Sequence, residues 1–487
     1  MDWGGTVTYL AETSLKGRSV PFGIKDQDRF AHVCVMGRAG SGRAALLARM
    51  ALQDIERGVG TVILDASGNL APLLVERLSK DVRERLIFLD PADAEYPFSW
   101  NPLDEFRALP SERALPVLSS AIASLYRIPS SALTDTLASH LLSNNESTML
   151  TAYDLLTDPV VREKAFGTDS DERKNFETIM SDAAESVAIV TEQGRYLAKD
   201  SLVRNLIGQS TSKFSLAALE KGGIIVVDLS RIRMFPTRIT PLVRLFTHAA
   251  RSRGLSNSPV TAFLHDCLRY LAEEDIDRIL PERSVALVIA ESIHTEEDKP
   301  LRDKALARSG SVIAFSSREE DLASVEHLFY PYVSPEELAL LEEGECCIAL
   351  TIDSVRSRPF YARALSLPER TGWSAHDALA ISRERSTTPR IKVDQLFKEK
   401  GSSDEKSEKG KGKDDDPGSF SSAFRSIFAK QAGTTGAPSA PAKPGTTTET
   451  EKVKETKEAK KAPAAVKPSE IPEEELRRML YVEPMPA

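Results

Sequence analysis

Three glycines within six residues form the part of the sequence that is best suited to chemistry. Gly37, Gly40 and Gly42 follow an apolar run, His32 to Met36, and precede a helical pattern that continues to about Arg57. In a loop between a strand and a helix, successive backbone N–H groups and the helix N-terminus together attract an anion. The spacing of Gly37 and Gly42 fits the pattern GxxxxGK[ST] and predicts a loop that binds the phosphates of a nucleotide.

The end of this loop departs from the pattern at two positions. Arg43 stands in place of the lysine, and its planar guanidinium does not fit where a compact ammonium lies between phosphates. Ala44 stands in place of serine or threonine and has no oxygen to offer Mg²⁺. The loop therefore predicts a site for ATP and Mg²⁺ at which binding is weak or absent. The predicted nucleotide-binding residues are Gly37, Gly40, Ser41, Gly42, Arg43, Ala44 and Asp65.

Two other interpretations of the glycines remain open. Gly40, Gly42 and Ala45 also fit GxGxxA, and Asp65 ends the next predicted strand about twenty residues later, which is the dinucleotide-binding pattern. Against this interpretation, Gly37 rather than Gly40 follows the strand directly, which leaves three residues that the dinucleotide turn does not need. The remaining interpretation is a tight turn with a purely structural role.

Short apolar runs alternate with helical patterns, as expected for an α/β protein with a parallel sheet. The runs are apolar on both faces, which is typical of buried parallel strands. The predicted strands are His32 to Met36, Thr61 to Leu64, Leu86 to Leu89, Ile224 to Val227, Thr261 to Leu264, Val285 to Ile289, Val312 to Phe315 and Cys346 to Ile352. Residues 104–204 lack β-branched runs and are predicted to form an all-α insertion domain, so that the nucleotide-binding domain comprises 1–103 and 205–385.

Composition and charge restrict the class of protein. With 41% hydrophobic residues and no apolar run of about 18 residues, the sequence predicts a cytoplasmic protein in which partners would mediate any membrane association. The four cysteines and seven histidines show no metal-ligand spacing, so no metal beyond Mg²⁺ is predicted. A net charge of −9 argues against a general nucleic-acid coat protein, because phosphate binding needs a positive surface.

The C-terminal part of the chain has a different composition. Residues 386–470 contain 17 Lys and Arg against 13 Asp and Glu and lack apolar periodicity. Such a segment buries too little apolar surface to offset its ordering entropy, so a disordered tail is predicted there. Residues 471–487 are predicted to form a short helix. Within the tail, four apolar residues have the spacing of one helix face and predict a partner-docking segment: Phe420, Phe424, Ile427 and Phe428.

Between Tyr9 and Leu365, the order and spacing of these motifs resemble the TraG/TraD-type coupling proteins of type IV secretion and the related HerA/FtsK translocases. The approach to the glycine loop is similar, in YLAETSLKGRSVPFGIKDQDRFAHVCVMGRAGSG. The second and third strands are similar in VILDASGNLAPLL, where DPHGDL is usual, and in LIFLDPADAEYPFSWNPLDEF. The later strands are similar in NLIGQSTSKFSLAALEKGGIIVVDLS and SRPFYARAL. The resemblance implies a RecA-like P-loop NTPase core with a parallel-type central sheet, and an all-α insertion that contacts cargo.

The resemblance also implies where the residues for hydrolysis would stand, and most of them are replaced. An acidic pair, for Mg²⁺ and for the attacking water, corresponds to His265 and Asp266, so that one acid is kept. The Asn-Gln pair that senses the γ-phosphate corresponds to Glu291 and Ser292.

A further replacement concerns the arginine that would reach a neighbouring subunit's site. Its position is taken by Ser316, and Arg318 lies two positions further along the chain. The loss of such an arginine alone costs about 10³ to 10⁵ in rate. Asp65 is kept, but its companions in the family motif have changed.

Together, these replacements favour a coupling-protein-like chain of type IV secretion or conjugative DNA transfer that is catalytically impaired and acts as a scaffold or adaptor. Its expected partners are related coupling ATPase subunits or secretion and pilus components, with DNA and a ring oligomer also compatible with the sequence. One alternative is an active hexameric DNA translocase that uses Arg43 on the phosphates and Asp266 on the metal. The other is the dinucleotide-binding enzyme.

Overall fold

A mixed sheet of eleven strands forms the centre of the part of the chain described by the computed structural model. The described residues are 6–15, 18–254, 259–281, 283–292, 298–317 and 325–397. The strands are β1 Val7–Leu15, β2 Arg18–Lys25, β3 Val33–Met36, β4 Gly60–Asp65, β5 Leu86–Leu89, β6 Ile224–Asp228, β7 Val260–His265, β8 Ala286–Glu291, β9 Ser311–Phe315, β10 Glu345–Ala349, β11 Thr351–Ile352, β12 Val355–Arg356 and β13 Phe360–Ala364. The order in the sheet is β2-β1-β13-β10-β9-β3-β8-β7-β4-β6-β5, and β11 and β12 form a separate hairpin.

The helices lie mainly in the connections between parallel strands. They are α1 Asp26–Arg29, α2 Arg43–Glu56, α3 Leu70–Val75, α4 Pro102–Arg107, α5 Ser111–Tyr126, α6 Ala132–Ser143, α7 Thr151–Thr157, α8 Pro159–Phe166, α9 Asp171–Asp182, α10 Ala184–Lys199, α11 Ser201–Ile207, α12 Pro236–Gly254, α13 Glu273–Ile279, α14 Lys299–Arg308, α15 Pro335–Ala339 and α16 Ala375–Ser386. Short 3₁₀ helices occupy Lys80–Arg85, Leu216–Lys221, Ser230–Ile232 and Leu268–Tyr270.

The seven strands from β9 to β5 run parallel, which confirms the predicted α/β fold with a mainly parallel sheet. Their side chains alternate between two apolar layers, because successive residues of a strand point to opposite faces. Val62 and Leu64 of β4 belong to the layer formed with α12 and the helical region, and Ile63 belongs to the layer formed with α2 and α3. Burial on both faces explains the continuous apolar runs in the sequence.

The prediction of Cys346 to Ile352 as one buried parallel strand is wrong. Residues Glu345–Ala349 pair antiparallel with both β9 and β13, and Thr351–Ile352 belongs to the separate hairpin. Beyond β13, strands β1 and β2 continue the antiparallel edge. An apolar run reports that a strand is covered on both faces, and that pattern is the same for either strand direction.

The strand order also contradicts the dinucleotide-binding interpretation. In that fold, the strand before the glycine loop and the next strand along the chain are neighbours in the sheet. Here β3 and β4 are separated by β8 and β7. The glycine loop therefore does not belong to a dinucleotide-binding unit of that type.

The helical region between β5 and β6 shares an apolar core with the sheet. Trp100 stacks on Phe246 of α12 with 4.2 Å between ring centroids, and both pack in one cluster with Val227 of β6. Glu105 of α4 is fully buried, where it accepts hydrogen bonds from Trp100 Nε1 and from the backbone N–H of Leu216. The boundaries 104–204 for an insertion domain stay a prediction.

The predicted disordered tail begins too early. Thr387 pairs with Phe98 in an isolated β-bridge, and Val393 is completely buried. Arg204 contacts Asp394 at 2.9 Å, which attaches this segment to α11. Because this segment is mostly polar, the sequence pattern did not predict these few contacts. The docking segment and the C-terminal helix lie outside the described residues, as does the tail from residue 398.

Candidate nucleotide site

The glycine loop lies at the carboxyl end of β3 and leads directly into α2. Gly40 and Gly42 have φ angles of +80° and +115°, a region that residues with a side chain rarely adopt. A Cβ on Gly42 would lie 3.1 Å from the Phe315 ring and 3.2 Å from Cα of Gly344. The sequence needs glycine here because the loop turns sharply against β9.

Some polar groups of the loop are already bonded, and others face a possible ligand. Arg38 donates its N–H to the carbonyl of Ser316 at 2.9 Å, and Ser41 accepts from the N–H of Gly344 at 3.0 Å. By contrast, Oγ of Ser41 is buried without a hydrogen-bond partner among the described residues. Nor do these residues provide an acceptor for the backbone N–H groups of Gly40 and Gly42. Unpaired donors at such a loop fit a phosphate oxygen.

Arg43, the first residue of α2, pairs its guanidinium with the acid that follows β7. Its side chain is only 4% exposed, and its Nη1 donates to Oδ1 of Asp266 at 3.0 Å. The side-chain Cδ lies 3.3 Å from the position that a Cβ on Gly37 would occupy. Its buried Nε has no hydrogen-bond partner among the described residues. Arg43 therefore fills space beneath the loop and is bound to an acid.

Asp266 directly follows β7 and receives several hydrogen bonds. Its Oδ1 accepts from Arg43 and also from the N–H and Oγ of Ser292, at 2.9 and 3.2 Å. Burial favours a raised pKa for Asp266, but the charges of Arg43 and His265, with the hydrogen bonds from Arg43 and Ser292, together hold the pKa below its usual value. In the described part of the chain, no group donates to Oδ2, which leaves one carboxylate oxygen for a cation.

Asp65 and His265 form a separate cluster. Nδ1 of His265 lies 3.0 Å from Oδ1 of Asp65 and 2.8 Å from Oγ of Ser67. Asp65 also accepts from the backbone N–H groups of Leu70 and Ala71, both at 2.8 Å, and so caps the start of α3. Burial would raise the pKa of Asp65, but the bonds and charge of His265 and these N–H groups lower it.

The strand order places this cluster away from the loop. Asp65 ends β4, which is separated from β3 by two strands, or about 14 Å across three strand spacings. Both of its oxygens are already bonded. The structure therefore brings Asp266 to Arg43 and Ser292 to Asp266, but it does not bring Asp65 there.

A buried glutamate lies at the end of β8, and the sequence pattern identified it only as a replacement in the sensor pair. Glu291 pairs with Met36 in register, and its Oε1 accepts from the N–H of Leu268 at 2.6 Å. Burial, and then the charge of Asp266, raise the pKa of Glu291 well above its usual value. A protonated carboxyl has nearly the shape of an amide, which is the group that the family resemblance implies here. The sequence signal for this buried acid was its position at the end of an apolar strand.

The position of the expected arginine is also occupied differently. Ser316 is buried, and its Oγ donates to the carbonyl of Ala339 at 3.2 Å, in α15. This side chain is directed towards α15 and does not contact Arg43 or Asp266. Arg318 lies outside the described residues.

The sheet order, the glycine loop and the helical region can be compared with known structures. The unbound bacterial conjugative coupling protein TrwBdeltaN70 is similar with a TM-score of 0.50 and 14% identity, over 75% of this chain and 91% of that one. The chain has the fold of conjugative coupling proteins. TrwB in complex with ADP and Mg²⁺ is also similar, with 15% identity and a TM-score of 0.48, over 75% of this chain and 92% of that one. VirB4 of Thermoanaerobacter pseudethanolicus is found as well, with 13% identity and a TM-score of 0.47, over 75% of this chain and 97% of that one.

Comparison at the level of sequence gives no further assignment. No family model matches the chain, and no curated protein matches it. The predicted coupling-protein core is thus confirmed as a fold, and the activity has to be argued from the side chains.

Within the coupling-protein fold of this chain, the candidate site is a loop suited to phosphate and a cation site with few ligands. The described residues contain no group of three or more His, Cys, Asp or Glu side chains arranged around a metal position. They also contain no helix long and apolar enough to cross a bilayer. The cationic side chain at the loop is already paired with the acid that a metal would need.

Proposed function

We propose that this chain is a coupling-protein-like component of type IV secretion or conjugative transfer machinery, impaired in ATP hydrolysis, that serves as a scaffold or adaptor. The observation that carries the proposal is the buried pair of Arg43 and Asp266. In an active site of this kind, the cation at the end of the loop contacts phosphates and the acid contacts Mg²⁺. Here the two groups bind each other.

Opening this pair for a nucleotide costs free energy. Removing one member of a buried ion pair typically costs about 3 to 5 kcal/mol, because the other charge is left without compensation. A phosphate could take over Arg43, but Asp266 would then face an anion unless Mg²⁺ paired with it. Ala44 provides no oxygen to hold that Mg²⁺. Nucleotide binding without productive metal binding is the expected outcome.

The loop itself still fits a phosphate group. Ser41 Oγ is a buried polar atom without a partner in the described residues, and the N–H groups of Gly40 and Gly42 are available. These groups would hold an ATP phosphate, while Asp266 Oδ2 would be the main protein ligand for Mg²⁺. Bound Mg²⁺ would neutralise the phosphate charge. Because Mg²⁺ would have a single carboxylate oxygen as its protein ligand, the donor set supports weak ATP binding that depends little on Mg²⁺.

A scaffold role accounts for a chain that has the coupling-protein fold but lacks most of the side chains that the resemblance implies for hydrolysis. The parallel sheet, the loop and the helical region are those of a coupling-protein fold, whereas only one acid of the implied pair is present. Expected partners are active coupling ATPase subunits, in a ring, or secretion and pilus components. Attachment to a membrane would come through such partners.

Calorimetry and a phosphate-release assay test this proposal together. We expect ATP to bind weakly, with similar affinity in the presence and absence of Mg²⁺, and no turnover above background. Gly40→Asp supplies the site control: Asp is one of the few side chains that adopt a positive φ at a small cost, no described atom lies within 4 Å of the added Cβ, and the carboxylate repels phosphate. ATP binding should disappear in this variant. Robust turnover by the unaltered chain would refute the proposal.

Restoring variants show how complete the impairment is. Arg43→Lys, Ala44→Thr and His265→Asp together should restore little turnover, because the sensor and the arginine remain absent. Adding Ser292→Gln and Ser316→Arg should raise turnover above the triple variant. Arg49→Lys, in the same helix but bonded to the carbonyl of Ser366, is the matched control and should change nothing.

The second candidate is an active DNA translocase with a divergent site. The open Oδ2 of Asp266, on a carboxylate whose pKa is low, favours it. It requires that ATP binding be strongly Mg²⁺-dependent and lost in Asp266→Asn. Calorimetry with that variant separates the two candidates.

A further inference from the structure

A polar recess lies at the edge of the sheet opposite the glycine loop. Its volume is about 420 Å³, and it lies where β3, β8 and β9 begin, beside the β11–β12 hairpin. Arg283, Arg308 and Arg356 contribute to its lining, and Asp28 is the acidic residue there. Three guanidiniums around one recess are unexpected in a chain with a net charge of −9. The recess is independent of the candidate nucleotide site.

The carboxylate of Asp28 is occupied by the hairpin. Its two oxygens accept from the N–H groups of Asp353 and Ser354, both at 3.0 Å. These two residues have φ angles of +50° and +68°, as in the two-residue turn that matches the twist of a hairpin. Asp28 therefore fixes the turn, and the turn positions the strand that carries Arg356.

Arg356 keeps its charge uncompensated. Its Nε donates to the carbonyl of Gly310 at 2.9 Å, and its Nη2 donates to the carbonyl of Ser309. Carbonyls orient a guanidinium but do not neutralise it. Burial lowers the pKa of Arg356. An anion in the recess would supply the missing countercharge and a partner for Nη1.

The other two arginines differ in their pairing. Arg308 contacts Asp277 at 2.7 Å and is therefore largely compensated. Arg283 is exposed and has no carboxylate partner among the described residues. Arg283 and Arg356 thus border the recess without an ion-pair partner in the described part of the chain, whereas the Asp28 carboxylate is held by the N–H groups of the hairpin.

We propose that this recess binds a phosphate group, held by Arg356 and Arg283. A phosphate monoester carries about −1.5 to −2 charges at neutral pH and matches two guanidiniums, whereas a carboxylate would leave one uncompensated. A volume of about 420 Å³ admits more than a free phosphate ion. The group can come from a free nucleotide or from the backbone of a nucleic-acid strand.

The test uses the full chain carrying Gly40→Asp, so that the glycine loop cannot contribute. Inorganic phosphate, ADP, an oligothymidylate and acetate are titrated separately by calorimetry. At least one phosphate ligand should bind, and more tightly than acetate. Arg283→Gln and Arg356→Gln should each weaken that binding about tenfold or more, since a charged hydrogen bond is lost. Preference for ADP or for the oligothymidylate identifies the source of the phosphate.

Arg385→Gln is the matched control, because Arg385 is also exposed and donates to a carbonyl, that of Glu84. The Arg385→Gln variant should bind the phosphate ligands as tightly as the parent chain does. Within the described ranges, Arg283 makes no hydrogen bond or ion pair that its replacement would break, so Arg283→Gln remains informative if Arg356→Gln loosens the hairpin. Absence of phosphate binding, equal binding of acetate, or unchanged binding in Arg283→Gln would overturn the proposal. None of these results bears on ATP hydrolysis at the glycine loop.

Discussion

At the scale of single residues, Arg43 is the substitution with the largest consequences. A lysine at this position would end in a compact ammonium close to the phosphates. The longer, forked guanidinium instead reaches Asp266 across the end of β8, where the carboxylate is also held by Ser292. One substitution therefore removes the expected cation from the loop and also engages the remaining acid.

The Arg43–Asp266 pair should contribute to stability. Arg43→Ala leaves Asp266 in a mostly buried position without its countercharge, so the free energy of unfolding should fall by about 3 kcal/mol. Urea denaturation of the two single variants and the double variant measures the coupling. Arg43→Ala combined with Asp266→Asn should recover part of the loss. Strictly additive effects of the two changes would show that the pair is not formed.

Glu291 predicts a pH dependence of the opposite sign to that of ordinary surface acids. Because its pKa is raised in the folded state, the folded chain binds more protons than the unfolded chain above the usual value of 4.5. Its contribution to stability therefore decreases as pH rises. Glu291→Gln should increase the unfolding free energy at pH about 8 and flatten the part of the profile that begins at the usual value of 4.5.

Chemical denaturation across a pH series checks this expectation. The exposed Glu146→Gln is the control and should leave the profile unchanged. Asp266, whose pKa is lowered, contributes stability that is lost at acid pH, so the difference between the Glu291→Gln and parent profiles above pH 4.5 reports on Glu291. A Glu291→Gln variant that is less stable at alkaline pH would mean that the carboxylate is required.

At the scale of secondary-structure elements, the ends of β4, β7 and β8 determine what each acid does. All three strands end at the same edge of the sheet, since they are parallel. Asp65, at the end of β4, is nevertheless used to cap α3 and to bind His265. Asp266, one residue beyond β7, is the acid that reaches the loop.

Asp65 should therefore affect folding and not ligand binding. Asp65→Asn removes a charged acceptor of several N–H groups and should reduce the free energy of unfolding by about 1 to 3 kcal/mol. Thermal unfolding and ATP titration on the same variant test whether stability falls while ATP binding is unchanged. Asp171→Asn, at the exposed start of α9, should cost far less. Loss of ATP binding without loss of stability would assign Asp65 to the nucleotide site.

At the scale of the whole molecule, both borders of the sheet are completed by segments distant in sequence. At one border, β1 and β2 extend the antiparallel part through β13. At the other, Oγ of Ser382 in α16 accepts from the N–H of Phe88 in the edge strand β5. The segment after α16 continues along the helical region through Thr387 and Asp394.

This segment should be an integral part of the fold. Val393→Ala removes apolar surface from a fully buried position and should cost about 2 kcal/mol in unfolding free energy. Ile391→Ala, two residues earlier but 72% exposed, is the control and should cost little. Equal effects of the two variants in urea denaturation would contradict the packing of this segment.

The sequence by itself determined the features that depend on local chemistry. Glycines with the spacing of Gly37 and Gly42 after an apolar run specify a strand, a loop and a helix, because conformational freedom and burial are local properties. The absence of the lysine and of the hydroxyl was equally visible at Arg43 and Ala44. The parallel part of the sheet followed from the alternation of strands and helices.

Only the tertiary structure decided which groups meet. Arg43 and Asp266 are 223 positions apart, and their contact depends on β8 and β7 lying next to β3 in the sheet. Periodicity contains no information on strand order or direction, so the antiparallel pairing of β10 and the use of Asp65 as a cap were not predictable. The physical reason is that an apolar pattern reports how much of a strand is buried, whereas the neighbour of each strand is selected by packing across the whole molecule.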